Sequence, residues 1–404
     1  MPAVWRIASS LVAVLSIVSL LAWYVGARTS WAFKLSRRSR VALAATFALG
    51  LAAAVLARTL GPAYSGIAAP LGALGSVVVL SIIISSILLA PVELGRLCAA
   101  LITRVVRLVK RASSASDAVN APSVPARRAF VAQAATAGAL SLGFGSSLYG
   151  TLIGRRDYTL ETVPIRLAKL PRTLDGLTVV QLSDIHVGTF VSEYELSRAL
   201  ELVQRAKADL VVLTGDLLDH DLHYAPVLAR FARSLRSHAR YGVFAVPGNH
   251  DHYAGAPSVL RHLREAGTEV LLNRHVTIGS GRDALVLAGV DDIAGPNFGG
   301  PGPRLKQAFE GAPEELARLL LSHNPAYFPH SRGHSDLTLS GHTHGGQITL
   351  FINPAELVLQ HGLVRGHYDV DGSQLYVNRG FGTAGPPTRI GSPPEVTRLV
   401  LTSG

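Results

Sequence analysis

Residues 177–186 (LTVVQLSDIH), 209–216 (DLVVLTGD) and 241–251 (YGVFAVPGNHD) are three short apolar runs, each ending in acidic, imidazole or amide side chains. They are rich in Val, Leu and Phe and too short for an ordinary helix, so each reads as a buried strand. Between them, SEYELSRALELVQRAK (192–207) and APVLARFARSLRSHAR (225–240) repeat apolar residues at helical spacing. Strand and helix alternation of this kind predicts a layered α/β domain. In such domains reactive side chains project from the carboxyl ends of the strands, where loops converge. Two later runs, ARLLLSH (317–323) and SDLTLSGHTH (335–344), end in the same manner.

Five strand ends therefore offer Asp184 and His186, Asp216, Asn249 and His250, His323, and His342 and His344. Carboxylate, imidazole and amide oxygen suit borderline and hard divalent metals, and a lone Cys98 provides no thiolate set. Alone, Asp184 or Asp216 reads equally as a helix cap, and His344 with Gly345 and Gly346 as a turn. Five apolar runs that each deliver a ligand point instead to one convergent metal site.

Outward from these runs the composition changes abruptly. The 404 residues carry +11 formal charge, 48% hydrophobic and only 16% charged residues, against about 25% charged in an average soluble domain. The apolar content excludes intrinsic disorder, and the single cysteine excludes a disulfide scaffold. Residues 1–157 hold 16 Lys plus Arg against 3 acidic residues; residues 158–404 hold 22 against 24, together with all 15 histidines. The basic charge and the metal-binding capacity belong to different halves.

In the first half, stretches of 21, 17, 34 and 26 residues contain no charge, between Arg6 and Arg28, Arg40 and Arg58, Arg58 and Glu93, and Arg128 and Arg155. A helix needs about 20 mainly apolar residues to cross a bilayer, so these stretches predict four membrane spans, the 17-residue one at the short limit. The organisation expected is residues 1–95 with three transmembrane helices, 96–126 as a basic interfacial helix and a small-residue linker, 127–154 as a fourth span, and 158–404 as the catalytic domain. Lys and Arg concentrate in the first and third loops, which places those loops in the cytoplasm and the histidine-rich half outside a cytoplasmic membrane, in a multi-pass protein. The run RLCAALITRVVRLVKR (96–111) abuts a span and has its Leu, Ile and Val on one helical face, as an interfacial helix would, rather than a nucleic-acid or calmodulin-type helix. Arg127 and Arg128, followed by an Ala/Gly-rich stretch, resemble a twin-arginine export signal; an ordinary flanked span reads the same way.

The series SDIHVG (183–188), GDLLDH (215–220), GNHD (248–251), SHNP (322–325) and GHTHGGQ (341–347) resembles the calcineurin-like metallophosphoesterase superfamily in its blocks and in their order. The tail LYVNRGFGTAGPPTRIGSPPEVTRLVL (375–401) is similar to that of its membrane-anchored bacterial branch. The resemblance covers about residues 163–404. It implies an α/β domain of two packed β-sheets flanked by helices, a four-layer αββα sandwich, following an α-helical membrane region. It also implies two metal ions, Mn, Fe or Zn, one held by Asp184, His186 and His344 and the other by Asn249, His323 and His342, with Asp216 between them. Metal-activated hydroxide would attack phosphorus in line, and His250, oriented by Asp219, would protonate the leaving oxygen.

Protein phosphatases of the superfamily have Arg directly after the second Asp of the GDxxD block, where this chain has His220, which argues against phosphoprotein substrates. Arg379 in NRGFG is a candidate phosphate contact or a solvated turn residue. GPNFGGPGPR (295–304), read with no strand before it, is a flexible rim loop. His220, His223, His252, His330, His334 and His361 have no counterpart among these ligands and read as loop residues, His252 being the one expected to line the pocket. The expected activity is hydrolysis of a phosphodiester or phosphomonoester in a lipid or cell-wall component. A nuclease is a weaker alternative because the second half carries net −2, and nucleic-acid partners usually require a basic surface. A sensor or assembly protein using the domain for binding is the alternative outside enzymes.

Overall fold

The computed structural model describes residues 3–60, 64–112, 125–350, 352–359 and 362–404, and side chains within these except for 3–11, 109–112 and 125–128. Residues 113–124 of the expected linker, His361, and the side chains of Arg127 and Arg128 lie outside what is described. The chain forms two compact units, one from residues 1–59 and 70–149, the other from residues 60–69 and 150–404.

The first unit is built from helices α1 (Ala3–Ala32), α2 (Arg37–Thr59), α3 (Ser65–Ala112) and most of α4 (Pro125–Leu152). Three of these, over Val12–Ala32, Arg37–Thr59 and Ser65–Leu108, are long and apolar enough to cross a membrane. The helix expected as a fourth span, α4, is 28 residues long but is not among the three, because Gly, Ser, Thr and Gln133 dilute its apolar residues. The basic run 96–111 is no separate interfacial helix: it continues α3 without a break past Pro91, since Arg and Leu are both good helix formers. Small residues set the packing. A methyl group at Gly75 would overlap the backbone of Ala54, so α2 and α3 approach at backbone distance, as small residues permit in membrane bundles. Ser85 Oγ donates to Ala139 O at 3.1 Å, and Gln133 Nε2 donates to Ala32 O at 2.8 Å, tying α4 to α3 and α1.

The second unit carries β1 (Thr159–Leu167), β2 (Thr178–Leu182), α5 (Glu193–Ala206), β3 (Leu210–Thr214), α6 (Ala225–Leu235), β4 (Val243–Val246), α7 (Asn249–Ala254), α8 (Ala256–Glu265) and β5 (Glu269–Val270). It continues with β6 (Arg274–Ser280), β7 (Asp283–Gly289), β8 (Ala317–Leu321), β9 (Leu337–Ser340), β10 (Gly366–Val370), β11 (Ser373–Val377) and β12 (Glu395–Ser403). Two six-stranded sheets result, ordered β1-β12-β2-β3-β4-β5 and β10-β11-β9-β8-β7-β6. Strands β2 to β5 are mutually parallel, and so are β7, β8, β9 and β11.

Strand alternation explains the layers. Val179, Leu210, Val212, Phe244 and Val246 of the first sheet meet Leu285, Leu287, Leu319, Leu321, Leu337 and Leu339 of the second in one buried cluster. The alternate residues Val180, Leu182, Val211, Leu213 and Ala245 turn the other way, onto Leu196, Val203, Leu228, Leu235, Val259 and Leu263 of α5, α6 and α8. Strands buried on both faces read as continuous apolar runs, which is why their sequences show no polar alternation. The expected sheet sandwich flanked by helices is present.

Leu321 ends β8 between the sheets with no exposed surface, two residues before His323. Leu321→Ala is expected to destabilise the chain by about 2–5 kcal/mol and Leu321→Met by under about 1.5 kcal/mol, measured by denaturant unfolding.

Candidate metal centre

The parallel strands deliver their C-terminal loops to one edge. Asp184 and His186 follow β2, Asp216 and Asp219 follow β3, Asn249 and His250 follow β4, His323 follows β8, and His342 and His344 follow β9. All seven residues expected as ligands come together. His186 Nε2 and His344 Nε2 are 3.1 Å apart, and His344 Nε2 lies 3.4 Å from Asp184 Oδ1. His342 Nδ1 lies 3.2 Å from His323 Nε2, which in turn is 3.3 Å from Asn249 Oδ1 and 3.3 Å from Asp216 Oδ1. The other oxygen of Asp216, Oδ2, is 3.7 Å from His186 Nε2, so this carboxylate touches both groups.

These separations test whether a cation fits. Two ligands at about 2.0–2.1 Å from one ion, at tetrahedral angles, stand roughly 3.3 Å apart. The spacing found is of that size, and ring nitrogens facing each other are in conflict unless a proton or a metal lies between them. The donor set of imidazole, carboxylate and amide oxygen suits Mn, Fe or Zn.

Backbone conformation marks the same residues. Asp184, His186, Asp216, His342 and His344 have φ between 49° and 71°, the left-handed region that side chains other than Gly, Asn and Asp seldom occupy. Such residues each cost of order 1–3 kcal/mol and persist where the surroundings fix them. Here the fixing contacts are hydrogen bonds between loops. Asp184 Oδ1 and Oδ2 accept from His342 N at 3.0 and 2.9 Å, and Asp216 Oδ1 accepts from His250 N at 2.8 Å. Asp251, fully buried, accepts from the backbone N–H groups of Leu217, Leu218 and Gly248, joining the GDLLD and GNHD loops.

Burial opposes the charge on Asp216, yet His323, His186 and His250 hold its carboxyl well below the usual range. For His344, burial, His186 and Arg389 push the imidazole well below its ordinary value, toward the neutral, ligating form. His342 is likewise lowered, by burial and then by His323.

His250 stands edge-on to His186 with ring centroids 4.6 Å apart. Its Nδ1 approaches the backbone carbonyl of Asp219 at 2.5 Å, whereas the Asp219 carboxylate is 3.5 Å away and is engaged at 2.9 Å by His220. The orienting contact thus runs through the main chain rather than the carboxylate alone. Burial works against a proton on His250, but hydrogen bonding to Asp219 and the charge of Asp216 raise its pKa to about 9.

Arg379 is drawn elsewhere. Its Nε pairs with the buried Glu395 at 2.6 Å, and its Nη2 with Glu161 at 3.0 Å, so the guanidinium is tied to β1 and β12. His252 is paired in the interior: its Nε2 lies 2.7 Å from Asp291 Oδ1, both side chains buried. Asp291 also accepts from Gly302 N at 2.9 Å, and β7 leads into this segment, so GPNFGGPGPR follows a strand and is held near its C-terminal end.

Other residues at the site escaped the sequence reading. Arg389, only 1% exposed, places Nη2 3.3 Å from His344 Nδ1 and donates to Gly380 O and Gly382 O, holding the tail loop against the ligand. Asp292 is buried with Oδ2 lacking a hydrogen-bond partner, and its charge helps raise the pKa of His323. Tyr253 packs between His250 and Phe298, its ring centroid 5.0 Å from each and its plane tilted by 50° and 58° to theirs. Only the strand-end position of Asp291-Asp292 gave a usable sequence signal.

The family model for calcineurin-like phosphoesterases matches residues 177–346, which span every one of these loops from β2 to the His344 turn. A metallophosphoesterase of Aquifex aeolicus is 34% identical over 271 residues, covering 65% of this chain and 97% of that protein. The chain belongs to this family. A Bacillus subtilis metallophosphoesterase is 31% identical over 67% of this chain and 94% of its own length. A Danio rerio protein named as a transmembrane protein with a metallophosphoesterase domain is 33% identical over 63% of this chain and 60% of its own length. As a calcineurin-like metallophosphoesterase, the chain is a metal-dependent phosphoric ester hydrolase, and its Asp and His clusters are groups that could hold a metal ion.

A methyl group at Gly341 would overlap Ser183 Oγ and Asp184 Oδ2. Gly341→Ala is therefore expected to lower bound metal per chain, read by elemental analysis of the purified protein, while Gly333→Ala at an open turn leaves metal content unchanged.

Proposed function

We propose that the chain is a membrane-anchored phosphoesterase with a two-metal centre, acting on a phosphodiester or phosphomonoester of an envelope or lipid-derived substrate. The reading rests on the convergence of Asp184, His186, Asp216, Asn249, His323, His342 and His344 at one sheet edge, with contacts of 3.1–3.7 Å among them. One ion would be held by Asp184, His186 and His344, the other by Asn249, His323 and His342, with Asp216 shared. Two such ions supply charge that stabilises the attacking and leaving oxygens of an in-line displacement and lower the pKa of a bound water.

The protein's own contribution is placement and proton delivery. Asp184 and Asp216 keep their loops in register through the His342 and His250 main-chain N–H groups. Asp251 locks the two loops that carry Asp216 and His250. His250, with its Nδ1 fixed by the Asp219 carbonyl, would give a proton to the departing oxygen. The three apolar helices on the same chain support a substrate in or near a bilayer.

Sidedness depends on α4. With basic loops in the cytoplasm, three spans would leave the catalytic unit inside and four would put it outside. We place α4 across the membrane as the fourth span, and hence the metal centre on the extracytoplasmic side, reached through twin-arginine export. A reporter fused after Thr402 is expected to be active only outside the cytoplasm; activity only inside makes α4 a non-spanning helix.

For the chemistry, the purified protein is expected to bind Mn, Fe or Zn and to hydrolyse chromogenic phosphoesters, with Asp216→Asn losing both metal and turnover. A folded wild-type protein without metal would overturn the reading. His250→Ala is expected to keep its metal and to lose about 10²–10⁴-fold in turnover on alkyl phosphoesters, and much less on nitrophenyl esters, whose leaving group needs no proton.

A further inference from the structure

The hydrolase chemistry makes no use of the polar groups in the apolar unit, and one cluster there is unsatisfied. Arg28, near the C-terminal end of α1, is only 6% exposed. Its Nε lies 3.3 Å from Glu93 Oε1 on α3, while its Nη2 is buried with no hydrogen-bond partner. Arg96, nearly one turn beyond Glu93, shares that carboxylate through Nη1 at 3.3 Å. Both guanidinium groups lie over the Trp31 ring, 4.7 and 5.1 Å from its centroid. One carboxylate thus serves two guanidinium groups, and the cluster keeps one net positive charge.

Arg28, Trp31 and Arg96 line a cavity of about 890 Å³ whose remaining walls are mainly small and apolar, including Gly95 and Ala99 of α3 and Val131 of α4. A buried guanidinium N–H without an acceptor is costly, and an ionisable residue inside a membrane bundle marks a functional site. The ligand that fits must bring acceptor oxygens and negative charge to the arginines, and an apolar body to the walls. Phosphate meets the first need, because guanidinium groups bind it through paired N–H donors, and an indole ring belongs at the headgroup level. Basic pockets between transmembrane helices bind anionic headgroups by this combination. We propose that Arg28, Arg96 and Trp31 form a binding site for the phosphate group of an anionic membrane lipid, with its acyl chains along the α3–α4 walls. The site rests on α1 and α3 crossing the membrane and is independent of the metal centre.

The test uses the full chain in mild detergent, with lipids retained after delipidation counted by native mass spectrometry. Wild type is expected to retain phosphatidylglycerol in preference to phosphatidylcholine, and inorganic phosphate is expected not to displace it. Arg28→Gln with Arg96→Gln should reduce retention about tenfold. Because Arg28 is buried, Arg96→Gln with Trp31→Leu, which leaves the Arg28–Glu93 pair in place, serves as the second variant and should also reduce it. Arg38→Gln with Arg40→Gln, which removes the same charge from exposed positions on α2, should change nothing. The proposal is overturned if variants of wild-type thermal stability retain wild-type amounts of lipid, or if the α2 variant loses as much. Displacement by inorganic phosphate would likewise overturn it, assigning the site to a free anion. None of these readouts depends on phosphoester hydrolysis.

Discussion

Two imidazole nitrogens, His186 Nε2 and His344 Nε2, face each other at 3.1 Å, and a second pair, His342 Nδ1 and His323 Nε2, does so at 3.2 Å. Lone pairs pointed at one another repel, so each pair needs a proton or a metal ion between its nitrogens. Much of the second unit holds these groups in place. Parallel strands put their loops at one end, the inter-sheet core fixes the strands, and Asp251 ties two of the loops together. The left-handed backbone at Asp184, His186, Asp216, His342 and His344 is the local cost, spread over residues whose neighbours prevent relaxation.

A related rule governs the helical unit, where the penalty comes from hydrocarbon rather than from crowded donors. There is no water to satisfy a stray N–H, so its polar side chains bond to helix backbone, as Ser85 and Gln133 do, or share a single carboxylate, as Arg28 and Arg96 do. The positive charge that dominates the whole-chain count therefore has little to do with attracting phosphate to the metal centre. It lies in the helical half, where at Arg28 it leaves a buried N–H donor without an acceptor.

The layered fold and the strand-end positions of the candidate metal-binding residues were legible because both depend on short-range rules. An apolar run of strand length followed by Asp, His or Asn states its own position at a sheet edge. What is not written in any run is which carboxylate or cation a side chain will find. Arg379 looked like a phosphate contact by its place in a glycine-rich loop, but the buried Glu395 and the nearby Glu161 claim it. His252 looked like pocket lining by its place after GNHD, but Asp291, 39 residues on, captures it. Arg389 and Asp251 gave no signal, because their work is to hold other loops.

By itself the sequence determined the division into an apolar basic half and a histidine-rich half, the strand and helix alternation, and a set of strand-end candidates from which the family resemblance selects seven as ligands, since periodicity, composition and side-chain chemistry are local properties. Tertiary structure decided that the basic run extends α3 and that His250 is fixed through a backbone carbonyl. It also decided which arginines are already paired. Those outcomes depend on contacts between residues far apart in the chain, and the energy of a buried charge is set by whichever partner the fold brings to it.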